Sequence, residues 1–100
     1  MKRKITVVYN RELKEVEIEN DTLVVPKNVT EVNCSDKGLK HIELHEKVKI
    51  LFCFKNNLTD LDLLKDIEHV ECWDNPLKKV KVPKNISYIC PSTQKIRSYY

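Results

Sequence analysis

The sequence predicts a tandem-repeat solenoid in which each coil contributes one strand to a parallel β-sheet. Three observations predict it: four blocks recur at a spacing of 19 residues, each opens an apolar pattern of fixed offsets, and three cysteines share one slot of that pattern. Self-similarity at a short fixed period means one supersecondary unit copied in tandem. A unit this small cannot bury its own apolar side, so neighbours must stack over a common core.

The blocks are Val25-Pro26-Lys27-Asn28-Val29, Leu44-His45-Glu46-Lys47-Val48, Leu63-Leu64-Lys65-Asp66-Ile67 and Val82-Pro83-Lys84-Asn85-Ile86. Each opens a run of the form apolar-x-x-apolar-x-apolar-x-x-Asn-x-apolar, complete in Val48–Leu58 and Ile67–Leu77. The pairs Val32/Cys34, Leu51/Cys53 and Val70/Cys72 are spaced by two, the strand period, so both members of a pair face one side. Val16/Ile18 fit an earlier, shorter unit that starts at Leu13. Asn56 and Asn75 stand where the chain leaves the strand, and a buried amide there satisfies peptide groups that the turn leaves unpaired. Asp21, Lys37 and Gln94 replace it in the outer units. Each unit then continues through Leu39-Ile42-Leu44, Leu58-Leu61-Leu63 or Leu77-Val80-Val82. Pro26, Pro76 and Pro83 disfavour helix in these returns, which are expected to be extended or briefly 3₁₀.

On this spacing the chain resembles the leucine-rich repeat proteins, whose signature is L-x-x-L-x-L-x-x-N/C-x-L. Its 19-residue unit with cysteine at the third apolar position is similar to the short repeats of some bacterial effectors and large DNA viruses. The resemblance covers residues 13–90. It implies an α/β-class leucine-rich-repeat solenoid, a right-handed superhelix of about four to five coils with a parallel β-sheet on its concave side and little true α-helix. It also makes the concave face the ligand-binding one.

The ends break the pattern as solenoid ends do. Ile5–Tyr9, a polar turn at Asn10-Arg11-Glu12 and Leu13–Glu19 read as an N-terminal β-hairpin cap that hides the first sheet edge. Residues 1–19 are thus cap and first strand, and residues 91–100 a C-terminal cap or tail, within a single domain of residues 1–100. Pro91 takes the third apolar slot, which throws Cys90 out of the cysteine register. Tyr99 and Tyr100 are expected to pack over the last coil.

A chain of 100 residues with 41% apolar content suits one small core. Its charge of +3, from 18 basic and 15 acidic residues, is mixed along the chain and favours no nucleic-acid or membrane partner. No apolar run reaches transmembrane length, and the apolar stretch after Met1-Lys2-Arg3-Lys4 is too short for a secretion signal. The expected location is cytoplasmic, or the host cytoplasm for a viral protein or effector. Cys34, Cys53 and Cys72 are 19 apart, so they point the same way from stacked strands and act as small buried hydrophobes rather than disulfide partners.

Residues alternating with the inward pairs face outward. The first repeats present an acidic strip of Glu15, Glu17 and Glu31. The middle ones present Ile50, Phe52, Phe54, His69, Glu71 and Trp73, with Tyr88 following. An exposed aromatic patch marks an interaction site, and the acidic strip favours a partner with basic residues. The competing reading is that the rings pack on one another or under the C-terminal tail. His41-Ile42-Glu43-Leu44-His45 lacks the glutamate position of the zinc motif, and no metal or other cofactor is expected. The basic run Lys78–Lys84 reads as solvated surface. The sequons at Asn28, Asn33, Asn57 and Asn85 are expected to stay unused in a cytoplasmic chain. With one glycine and no catalytic constellation, the chain reads as a non-enzymatic protein–protein interaction module. The alternatives are an assembly subunit that self-associates through the patch or the solenoid end, and the recognition piece of a larger enzyme complex.

Overall fold

A computed structural model of the chain describes residues 1–84 and 86–100; Asn85, of the fourth block and its sequon, lies outside the described residues. The chain forms a β-solenoid of stacked short coils. The elements are β1 (Lys2–Tyr9), β2 (Glu12–Glu19), β3 (Thr22–Val24), β4 (Glu31–Asn33), β5 (His41–Glu43) and β6 (Ile50–Phe52). They continue as β7 (Asp60–Asp62), β8 (His69–Glu71), β9 (Lys79–Val82), β10 (Tyr88–Cys90), a 3₁₀ turn at Gln94–Ile96, and β11 (Arg97–Tyr99).

Strands β4, β6, β8 and β10 form one parallel ladder, in which Val32, Leu51, Val70 and Ile89 align in turn. Each step is the repeat length of 19. The return half of the unit is extended, as its prolines predict, where an α/β class would place a helix. It is also a strand, so β3 pairs β5, and β7, β9 and β11 pair in a second parallel stack. Among the described residues the 3₁₀ turn is the only helical element. The reason is length, because 19 residues that already supply a ladder strand and its corners leave too few for a stable multi-turn helix.

The two stacks enclose the core. Cys34, Cys53 and Cys72 line up in it with at most 1% exposure, unpaired, beside Val32, Leu51, Val70, Leu39 and Leu58. Removal from water pushes the Cys34 thiol up to about 12 and the Cys72 thiol up to about 11, and raises Cys53 as well.

The corners are held by asparagine. Asn56 Oδ1 accepts from the peptide N–H groups of Lys37 and Leu39, both at 3.0 Å, while its Nδ2 donates to the carbonyls of Cys34 and Cys53, also at 3.0 Å. Asn75 repeats this one coil on, accepting from Leu58 N–H and donating to the Cys53 and Cys72 carbonyls. Each amide therefore ties its own coil to the preceding one. Asp36, Lys55 and Asp74, again 19 apart, adopt left-handed φ of 57°, 57° and 59° to make this turn.

The cap departs from the expected register. Residues of the presumed first unit belong to the hairpin, and Leu13 is 76% exposed on it. Strand β1, not the Leu13–Glu19 segment, pairs antiparallel with β4, while β2 meets β3 through Glu19 and Thr22. The hairpin thus joins β4 of the ladder to β3 of the return strands and closes the N-terminal end over Ile5, Val7, Tyr9 and Ile18. Its two-residue turn has Asn10 and Arg11 at φ 52° and 68°, the left-handed pair of a type I′ hairpin. Asn10 Oδ1 accepts from the Thr30 and Glu31 N–H groups. Arg3 bonds Asp21 and the Lys37 carbonyl. No described helix is long and apolar enough to cross a membrane.

Two predictions follow from the buried polar groups. Asn56→Ala leaves the Lys37 and Leu39 N–H groups and the Cys34 carbonyl without their side-chain partner, and should cost about 3 kcal/mol in urea unfolding, more than Asn75→Ala. A cost below about 1 kcal/mol would remove the ladder from the account. The thiols also make stability fall at high pH. Above the ordinary value of 9.0 the unfolded chain releases thiol protons that the folded core retains. Each such thiol should lower unfolding free energy by about 1.4 kcal/mol per pH unit, with little change below that point. Denaturation midpoints across the alkaline range measure this.

Candidate functional site

The 19-residue register sorts the outward residues of the first ladder into three rows. One holds Glu31, Ile50, His69 and Tyr88, and the second holds Asn33, Phe52, Glu71 and Cys90. The third lies past the strand ends, at the corner, where backbone hydrogen bonds from the Asp36 N–H to the Phe54 carbonyl and from the Lys55 N–H to the Trp73 carbonyl keep the coils in step. It brings Phe54 onto Trp73.

Strand spacing dictates how these side chains meet. Neighbouring strands lie about 4.8 Å apart, close to the distance at which flat rings stack. Phe54 and Trp73 stack with centroids 4.3 Å apart and planes within 5°. His69 and Tyr88 stack at 4.5 Å and 15°, and Phe52 meets His69 at 5.6 Å in a tilted contact. The Lys55 ammonium stands 5.7 Å from the Trp73 ring. His69 Nε2 lies 3.0 Å from Glu71 Oε2. The neighbouring Cys90 side chain holds the Tyr88 phenol above its usual range.

All seven residues of the expected patch therefore share one face, and five of them, Phe52, Phe54, His69, Trp73 and Tyr88, form two short ladders of rings. Stacking consumes ring faces, so most of these residues are half-buried and present ring edges. Tyr88, at the end of its row, is 46% exposed. The C-terminal tail does not cover them. It adds β11 to the other stack, where Tyr100 accepts from the Leu64 N–H and lies against the Lys81 ammonium.

The acidic strip is not continuous. Glu15 and Glu17 lie on β2, separated from β4 by β1, and face Thr6 and Lys4 across the hairpin. Glu15 approaches Lys4 at 3.8 Å, and Glu31 on β4 pairs with Arg11 at 3.2 Å. The partner of Glu31 was invisible in the repeat pattern because Arg11 belongs to the hairpin turn. A shallow groove of about 170 Å³ runs between Val8, Arg11, Asn33 and Phe52. That volume is well below the several hundred Å³ of typical small-molecule sites.

The motifs set aside also find places. His45 bonds the Pro26 carbonyl and its own loop, and His41 is exposed on β5. No cluster of three or more metal-ligating side chains occurs among the described residues. Lys79 and Lys81 align with Asp60 and Asp62 on the second stack.

Comparison of the chain with protein-family models, with curated proteins and with solved structures finds no match. The ring geometry makes its own prediction. In a double-mutant cycle, Phe54→Ala and Trp73→Ala should show a favourable coupling of about 0.5–1.5 kcal/mol in urea unfolding. Additive effects would mean that the stack is absent in solution.

Proposed function

We propose that this chain is a non-catalytic binding module of the short leucine-rich-repeat type that docks a protein partner on the outward face of its first ladder. The repeat spacing, the asparagine at each middle corner and the parallel ladder support the leucine-rich-repeat kinship. The observation that carries the functional reading is the row of rings left uncovered by the tail, spread over Phe52, Phe54, His69, Trp73 and Tyr88. A solvated sheet face has no need of three large rings on adjacent coils, and aromatic side chains held rigid by stacking are suited to act as anchors at low entropic cost. Ile50 and Glu71 border them. The His69–Glu71 pair supplies a polar edge able to orient the partner.

The partner's complementary chemistry is apolar at the rings. The carboxylates of Glu15, Glu17 and Glu31 contribute little, because two already have cationic neighbours within this chain. Proteins captured from the native cell or host by the immobilised chain identify the partner. Phe52→Ser with Tyr88→Ser, which leaves the Phe54–Trp73 stack intact, should weaken that capture by about thirtyfold, the effect of losing a hot spot near 2 kcal/mol. Phe54→Ser with Trp73→Ser should do the same, provided its thermal transition remains above the assay temperature. Unchanged affinity in both folded double variants would refute this reading.

A further inference from the structure

The hairpin leaves one strand edge open in the interior of the chain. In the first sheet β2 lies between β1 and β3, but it meets β3 only at Glu19 and Thr22. The Asn10 N–H donates to the Glu31 carbonyl, so by strand alternation the peptide groups of Tyr9, Val7 and Ile5 face β2. Their partners there are Glu12, Lys14 and Val16. The peptide groups of Leu13, Glu15 and Glu17 therefore point away from β1. Among the described residues no backbone bond outside the ladders reaches them. Nor does a proline or a bulge blunt this edge, since β2 pairs with β1 residue for residue from Glu12 to Glu19.

A trough runs beside the edge, where β2 and the first coil separate. Its two halves, of about 300 and 400 Å³, meet at Val16. Val24, 61% exposed, lies along one half, and Pro26 and Val29 line the other. The opposite face of the same edge is acidic, because Glu15, Glu17 and Glu19 alternate along it beyond Leu13. Lys4 and Lys2 stand opposite Glu17 and Glu19 on β1, the side away from the edge. Lys4 comes no nearer than 3.8 Å to Glu15, with both side chains 67% exposed, and Glu17 and Glu19 have no ion pair among the described residues. Lys14, on the trough face, is occupied by Glu12 at 3.3 Å.

We propose that the β2 edge is a second docking surface, separate from the rings, which takes an extended basic segment of a partner as an added strand. Backbone pairing with Leu13, Glu15 and Glu17 gives the segment affinity, and its alternate side chains give selectivity. One face of the added strand turns to the trough, beside Val16. The other sets its side chains directly across from Glu15 and Glu17, within cross-strand reach. A segment alternating apolar and basic residues meets both. A second copy of this chain is the wrong occupant, because pairing two β2 edges sets glutamate against glutamate.

The test uses the intact chain and a short fluorescent peptide alternating valine and lysine, with a valine–glutamate control. The lysine peptide should bind and the glutamate peptide should not. Glu15→Lys with Glu17→Lys, at exposed positions, should weaken binding by about tenfold or more. Amide hydrogen exchange should slow at Glu15 and Glu17 on binding, and not at Val16, whose N–H already faces β1. Two further copies of the lysine peptide carry the same charge, one N-methylated on every valine and one on every lysine. A strand pairs through alternate peptide groups, so one of these copies should bind and the other should not. The proposal is overturned if the lysine peptide fails to bind or the two glutamates prove dispensable. It is equally overturned if the two N-methylated copies bind alike, which would mean attraction of charge without strand addition.

Discussion

At each corner of this solenoid the chain leaves its ladder strand at the same height as the coils on either side, which strands peptide groups inside the stack. Buried peptide groups without partners are costly, so the corner must be satisfied from within. Asn56 and Asn75 do this with a single side chain that both donates and accepts, reaching the coil before as well as their own. The left-handed residue just ahead, Lys55 or Asp74, turns each of these amides inward. A shift of one residue between coils would break several of these bonds at once. The corner amide therefore holds the 19-residue register, and the rest of the structure inherits that register.

The inheritance is visible on both sides of the ladder. Inward, it superimposes Cys34, Cys53 and Cys72, whose small side chains suit the tight space beside the corner. Outward, it superimposes Phe54 on Trp73 and His69 on Tyr88 at distances close to the strand spacing. The surface rings are thus partly a continuation of the stack itself, and their rigidity is what qualifies them as anchors. Where the register lapses, the character of the surface changes. The last coil aligns Val80 with Arg97, two residues short of the repeat, and there Arg97 and Lys81 stand over the Tyr99 and Tyr100 rings in place of ring-on-ring stacking.

Much of this was legible because the pattern has few meanings. Three cysteines in one slot could hardly face anything but a common interior, and an asparagine at a strand exit has a known duty. Other parts were not legible for physical reasons. The returns were legible as extended but not as paired strands, because Leu39-Ile42-Leu44 has spacings of three and two rather than a sustained alternation. Val16 and Ile18 alternate like a ladder strand, but a hairpin strand alternates too, so Leu13 was assigned to a coil that does not exist. Glu15 and Glu17 followed it, and with them the idea of an acidic strip beside the rings. Row membership of the aromatics follows from spacing, whereas ring orientation depends on side-chain torsions that spacing does not specify.

The most direct test is amide hydrogen exchange on the intact chain. The backbone N–H groups of Leu39 and Leu58 sit at corners outside any strand, and among the described residues their only partners are the Asn56 and Asn75 side-chain carbonyl oxygens. If the corner amides hold the register, both should exchange as slowly as Leu51 and Val70 in the ladder, through global unfolding alone. Exchange at the rate of an open loop, while Leu51 and Val70 stay protected, would contradict the account.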